Sequence, residues 1–230
     1  MTPYLPDESP FGLALLFPDG IKFFSTTTRG AVSWLMPRER RAVEGASEKR
    51  KGEFAAGRMC ARRCMDLLFV PVQQVPMGHD RSPIWPSGLV GSISHCDGYA
   101  LAAVARSESF HPFGVDVEKV KDVDKSLQQF ICTAAEADAL KHVSTIFGAK
   151  ALALFFSAKE AVFKSFYPQF GEVLEFLDVT LEIDVPNGRF IGRVARSRSI
   201  AVFDGCFFID RGLVFTFAIR RKGDGVPEAN

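Results

Sequence analysis

Asp116 and Glu118 stand two residues apart in Phe113-Gly114-Val115-Asp116-Val117-Glu118, and Glu160 and Lys164 stand four apart in Phe155-Phe156-Ser157-Ala158-Lys159-Glu160-Ala161-Val162-Phe163-Lys164. A spacing of two puts side chains on one face of a strand, and a spacing of four puts them on one face of a helix. Carboxylates that share a strand face repel unless solvent or a cation relieves them. A hard cation such as Mg²⁺ prefers one or two carboxylates completed by water and phosphate oxygens. Each signal alone has an ordinary reading: Asp-x-Glu occurs on solvated edge strands, and an isolated Glu-to-Lys pair adds roughly 0.2–0.5 kcal/mol to a helix. Finding both in one chain raises the expectation of a metal-assisted reaction on a phosphate.

Cations that could meet such a phosphate lie on both sides of the carboxylates. Between positions 38 and 63 the chain carries Arg38, Arg40, Arg41, Lys49, Arg50, Lys51, Arg58, Arg62 and Arg63. Arg58 and Arg62 are a helical turn apart, so their guanidiniums stack along one face, an arrangement that suits a phosphate as well as solvent. Arg81 follows in a Pro/Gly loop, and Ser94-His95 comes where a strand should end. Lys159 and Lys164 are five residues apart, about 140° around a helix, and cannot both face one oxygen.

These groups need elements to hold them. Leu152, Phe155, Phe156, Val162, Phe163 and Phe166 recur at helical spacing, predicting a helix from Ala149 to Tyr167 that stops at Pro168. Phe54, Met59, Met65, Leu67 and Leu68 predict another from Ser47 to Phe69, closed by Pro71. A third helical pattern, Leu127 to His142, carries Glu136. Alternation through Phe113–Glu118 predicts a strand with Val115 and Val117 towards the core and both carboxylates on the other side. Leu89 to Ala105 reads as a hairpin turning at Asp97-Gly98. Beyond the central helix an antiparallel meander is expected: Leu174 to Val185, a Pro186-Asn187-Gly188 turn, Arg189 to Ala195, and Ser199 to Arg220 with turns at Asp204-Gly205 and Arg211-Gly212. Met1 to Gly20 reads as an irregular lead-in or an edge strand, and no internal repeat is visible.

Composition excludes several classes. Of 230 residues, 47% are hydrophobic and 24% charged, the make-up of a soluble globular protein with a sizeable core. Lys+Arg 28 against Asp+Glu 27 gives no general attraction to nucleic acid or to an anionic membrane. Five cysteines without Cys-x-x-Cys or paired Cys/His spacing argue for free thiols in a reducing compartment. The N-terminal stretch has neither a basic start nor a long apolar run, so no signal peptide or membrane span is expected, and the localisation is cytoplasmic.

In order and spacing, Gly57-Arg58-x-x-Ala61-Arg62, Arg81-x-Pro83-x-Trp85-Pro86, Gly91-Ser92-Ile93-Ser94-His95, Gly114-Val115-Asp116-Val117-Glu118 and Phe156-Ser157-Ala158-Lys159-Glu160-x-x-x-Lys164 resemble the 4′-phosphopantetheinyl transferases. The likeness runs from Arg38 to Tyr167 and is to the large type, which includes the surfactin-synthetase activator and the enterobactin-synthase component. It implies an α/β (α+β) fold of two similar halves, 1–112 and 113–230, related by pseudo-twofold symmetry, each a small, mostly antiparallel sheet with helices, and coenzyme A in the cleft between them. It implies Mg²⁺-dependent (or Mn²⁺-dependent) transfer of the 4′-phosphopantetheine arm of coenzyme A to a serine of an acyl, peptidyl or aryl carrier protein, with release of 3′,5′-ADP, by a monomer. By that likeness Asp116, Glu118 and Glu160 hold the metal. Arg58, Arg62, Arg81, Ser94, His95 and Lys164 receive the coenzyme A phosphates; Glu160, Lys164 and Lys159 serve catalysis, with Glu160 as general base. Glu136 matches a glutamate that some members carry. The likeness does not select among siderophore, other nonribosomal peptide, polyketide and fatty-acid pathways. Val115, Val117, Phe156 and Cys96 depart from the usual residues without removing a functional group. A metal-dependent phosphodiesterase or nuclease, and a non-catalytic coenzyme A- or carrier-binding protein, stay open as alternatives.

Overall fold

The computed structural model describes residues 9–27, 29–196 and 199–221. Positions 1–8, where the expected lead-in begins, lie outside the described residues. The chain divides into two compact units, with the boundary between His111 and Pro112.

In the first unit β1 (Lys22–Thr26), α1 (Pro37–Arg41), α2 (Glu48–Leu67), β2 (Leu89–Cys96) and β3 (Tyr99–Arg106) follow in order, and the sheet runs β1-β3-β2, antiparallel throughout. Ser47 starts α2: its hydroxyl accepts the Arg50 N–H at 3.3 Å, satisfying one of the free donors of the first turn. One face of α2, with Ala56, Met59, Cys60, Cys64 and Met65, packs on the small residues of β3, so helix and sheet approach closely. Gly57 marks the tightest point, where a Cβ would come 2.8 Å from Ile93. The hairpin turns at Asp97-Gly98 as expected, with Gly98 at φ 75°. The early edge strand is β1, Lys22–Thr26, just beyond the expected stretch, while Leu13–Leu16 forms a 3-10 turn.

The second unit holds β4 (Phe113–Lys119), α3 (Gln128–Ile131), α4 (Ala137–Phe147), α5 (Lys150–Phe170), β5 (Val179–Asp184), β6 (Arg189–Arg196), β7 (Ser199–Asp210) and β8 (Leu213–Arg220). Its sheet is an antiparallel meander, β5 to β8, with β4 added beside β8. α5 lies on this sheet, and its apolar face forms one core with residues such as Phe190, Val194, Phe203 and Phe207.

Three expectations need correction. α5 does not stop at Pro168 but continues to Phe170, because a proline in the last turn removes only one backbone bond. Gly171, left-handed at φ 68°, then closes the helix by donating to Tyr167 O at 2.8 Å. Asp204-Gly205 is no turn and lies in the middle of β7, where the ring of Phe190 would sit 2.1 Å from a Cβ on Gly205, so the glycine makes room for an aromatic. The Leu127–His142 helix is interrupted at Cys132-Thr133, where Thr133 and Glu136 form a capping box that restarts the chain into α4. β4 divides its faces as expected, and Asp116 is only 2% exposed, since the face it shares with Gly114 is covered by α5. Val115 and Val117 are buried on the opposite face.

Candidate active site

Gly114 sets the distance between β4 and α5. A Cβ there would lie 1.8 Å from Ala161 O and 3.0 Å from the Cβ of Lys164, so no other residue permits this approach. Two positions along the same face, Asp116 meets Lys164, with Nζ donating to Oδ1 at 2.6 Å and to Val115 O at 3.3 Å. Across the ladder from Asp116 stands Thr216, whose hydroxyl donates to Ser157 O and accepts from Ser157 Oγ, both at 2.9 Å. The seam between helix and sheet is thus polar where the site lies and apolar beyond it.

Glu160 sits one turn before Lys164, half-buried. Burial raises its pKa, the charge of Asp116 adds to the rise, and Lys164 opposes both. For Lys164 burial alone would lower the pKa; the carboxylates of Asp116, Glu160 and Glu118 outweigh it and raise it, so the group is an ammonium at neutral pH. Three carboxylates therefore act electrostatically on one ammonium. Among the described residues no three acidic, histidine or cysteine side chains are already gathered tightly enough to hold a metal ion together. Mg²⁺ does not require that: one or two hard oxygens suffice when phosphate and water complete the octahedron. The donor set fits such an ion, because fully ionised it carries more negative charge than Lys164 balances.

Lys159 is elsewhere. It is 1% exposed, and its Nζ donates to Glu136 Oε2 at 2.7 Å, Ile131 O at 2.8 Å and Phe176 O at 3.0 Å, which uses all three N–H groups. Burial lowers its pKa, against the opposing pull of Glu136. Glu136 also accepts Thr133 N–H through Oε2 and Leu181 N–H through Oε1, each at 2.7 Å. Beside this clamp a cavity of about 410 Å³ is lined by Glu160 and, among others, Phe130, Phe163, Leu174, Phe176 and Leu177.

In the first unit Arg58 stacks on Phe54, 4.0 Å from the ring centre, and its Nε donates to Val75 O at 2.6 Å. Burial pushes its pKa down to about 10, with Glu39 opposing and Arg50 and Arg62 assisting, which leaves it charged at neutral pH. Arg62 is 2% exposed and committed: Nη1 donates to both oxygens of Glu39 at 2.8 and 2.7 Å, and Nη2 to Trp34 O at 2.8 Å. Glu39 in turn accepts Val75 N–H at 2.8 Å and Met36 N–H at 2.9 Å. Arg81 is exposed in its loop at φ 69°. Ser94 and His95, being consecutive on β2, project to opposite sheet faces, with Ser94 buried and His95 half-buried.

Two features escaped the sequence reading. Arg50 Nη1 stands 2.6 Å from His95 Nε2, and His95 Nδ1 stands 3.7 Å from Glu53. A guanidinium has only donors, so Nε2 accepts and the proton sits on Nδ1, facing Glu53. The ladder Arg50, Phe54, Arg58, Arg62, at steps of four, was the signal for it. The partners of Arg62 and Lys159 lie far away in sequence, and no local spacing points to them.

A carboxylate seam answered by one ammonium, with a separate helix of guanidiniums, has the equipment of an enzyme that moves a phosphate-linked group. Comparison with known proteins agrees. Residues 38–105 match the 4′-phosphopantetheinyl transferase N-terminal domain, and residues 112–204 match the 4′-phosphopantetheinyl transferase superfamily. The chain is 34% identical to the 4′-phosphopantetheinyl transferase Svp of Streptomyces mobaraensis, over 84% of this chain and 81% of that one. It is 41% identical to enterobactin synthase component D of Salmonella typhi, over 58% and 54% respectively. With holo-[acyl-carrier-protein] synthase of Thermotoga maritima, a solved structure, it shares 21% identity and a TM-score of 0.40, over 48% of this chain and 62% of that one. The chain belongs to the 4′-phosphopantetheinyl transferases. It is an enzyme that passes the phosphopantetheine arm of coenzyme A to a carrier protein.

Proposed function

We propose that transfer takes place at the seam of β4 and α5, with the carrier serine as nucleophile and 3′,5′-ADP as leaving group. Asp116, Glu118 and Glu160 would hold Mg²⁺, or Mn²⁺ in its place, which when bound would supply neutralisation of charge on the pyrophosphate oxygens. Lys164, fixed by Asp116 and a quarter exposed, supplies the positive charge that faces the leaving phosphate. Glu160 also takes the proton of the serine hydroxyl as general base. Arg58, Arg81, Ser94 and His95 receive the other coenzyme A phosphates, and Arg50, which orients His95, joins them. Arg62 and Lys159 leave the contact set, since their donors are already engaged in buried ion pairs. The cavity beside Glu160 is mostly apolar, like the pantetheine arm, and takes that arm. The enzyme works as a single chain in the cytoplasm on carrier domains of siderophore, other peptide, polyketide or fatty-acid assembly.

The observation that carries this reading is the ion pair of Lys164 with buried Asp116 at 2.6 Å, one helical turn from Glu160. Incubation with coenzyme A, Mg²⁺ and an apo-carrier, read by intact mass, tests it. Chelation should abolish the mass increase and added Mg²⁺ or Mn²⁺ should restore it. Asp116→Asn, which keeps the shape of a buried side chain, should stay folded by circular dichroism and lose most transfer. Full transfer in excess chelator would overturn the metal assignment.

A further inference from the structure

Lys159 and Glu136 form a clamp with more ends than an ion pair needs. The ammonium is bonded to the last residue of α3, to Phe176 and to Glu136, and Glu136 holds Thr133 and the Leu181 N–H of β5. Phe130, Phe176 and Val179, neighbours of these anchor points or the points themselves, line the cavity beside Glu160. A buried ion pair adds little stability over an apolar pair of the same size. What it adds is direction, because each bond fixes one wall segment to α5 at the residue next to Glu160.

The first unit contains the same device. Glu39 accepts the N–H of Met36, three residues before it, as Glu136 accepts that of Thr133; Arg62 follows Glu39 by 23 residues, as Lys159 follows Glu136. There too the glutamate fixes a site wall, since it holds Val75 N–H while Val75 O accepts from Arg58.

We propose that Glu136 and Lys159 are positioning residues that hold the cavity beside Glu160 in the shape that receives the pantetheine arm, a role that rests on the arm-pocket reading above. Neither touches the reacting atoms. Their removal should weaken the arm's fit and leave binding of the nucleotide portion alone.

The test compares wild type, Glu136→Gln, the double variant Glu136→Met/Lys159→Met, which leaves no lone buried charge, and Leu177→Trp. Leu177 is 50% exposed on the cavity wall, so the indole fills the cavity without disturbing the core. Measured are the KM for coenzyme A and the Ki of 3′,5′-ADP, which lacks the arm, at a temperature where circular dichroism shows each variant folded. The expected result is a KM raised about tenfold in the clamp variants with Ki unchanged. If only the melting temperature falls, or if Ki rises in step with KM, the clamp is merely structural and the proposal is overturned. Should the double variant not fold, Glu136→Gln decides between these outcomes alone. An unmoved KM in Leu177→Trp would overturn the arm-pocket reading and the proposal with it. A raised KM in Leu177→Trp with inert clamp variants would overturn the proposal alone.

Discussion

Lys164 and Lys159 carry the same group on the same helix, yet the structure gives them opposite surroundings. Lys164 keeps a quarter of its side chain exposed next to Asp116, whereas Lys159 is enclosed. Lys164→Ala should therefore depress kcat more than it raises the KM for coenzyme A, because charge on the leaving phosphate grows towards the transition state. Steady-state kinetics with saturating carrier checks this, and a change confined to KM would place Lys164 in ground-state binding only. Lys159→Ala leaves Glu136 buried without its cation, a loss of about 3–5 kcal/mol, and should show first as a lower melting temperature in calorimetry. Cys132, pushed up to about 11 by burial and by Glu136, should be inert to iodoacetamide at pH 8, read by peptide mass, since only about one thiol in a thousand is then ionised. At this scale spacing in the sequence placed Asp116 with Glu118 and Glu160 with Lys164, but not the contact of Asp116 with Lys164 across β4 and α5. It could not disclose that Arg62 and Lys159 are occupied, because their partners are brought in by tertiary packing.

At the scale of elements, contact between β4 and α5 decides whether the site exists. Gly114→Ala would drive a methyl group to 1.8 Å from Ala161 O, a backbone atom that can move only with the helix. The variant should lose several kcal/mol of stability, on the order of the larger core overpacking effects, and transfer should fall with it. Thermal unfolding measures the first effect; a variant as stable as wild type would mean that α5 lies farther from the sheet. Turns and periodic helices were legible: Asp97-Gly98, Pro186-Asn187-Gly188 and the α2 and α5 patterns fall where local chemistry puts them. β1 was not, although Pro18-Asp19-Gly20 turns the chain just before it, because Lys22–Thr26 is short and its buried residues do not alternate. Asp204-Gly205 misled because a glycine that admits an aromatic ring reads like a glycine that bends the chain.

For the whole molecule, net charge +1 means that cations matter by local clustering and not through a long-range field. Duplex DNA should accordingly show no binding by fluorescence anisotropy at 0.15 M salt and should not compete with coenzyme A; competition would reopen the nuclease reading. Composition made a globular chain legible and the family likeness made the enzyme class legible, but nothing in either pointed to the repeated clamp. Counted from the clamp cation, the next residue is Arg63 in the first half and Glu160 in the second. Three residues before it come Met59 and Phe156, and four before it Arg58 and Phe155, so the second half has an aromatic where the first has a cation. If the two halves descend from one ancestral segment copied in tandem, the framework was inherited twice while its contents diverged. One copy would then be free to specialise in gripping phosphate and the other in breaking the pyrophosphate anhydride, a division of labour closed to a chain with a single half.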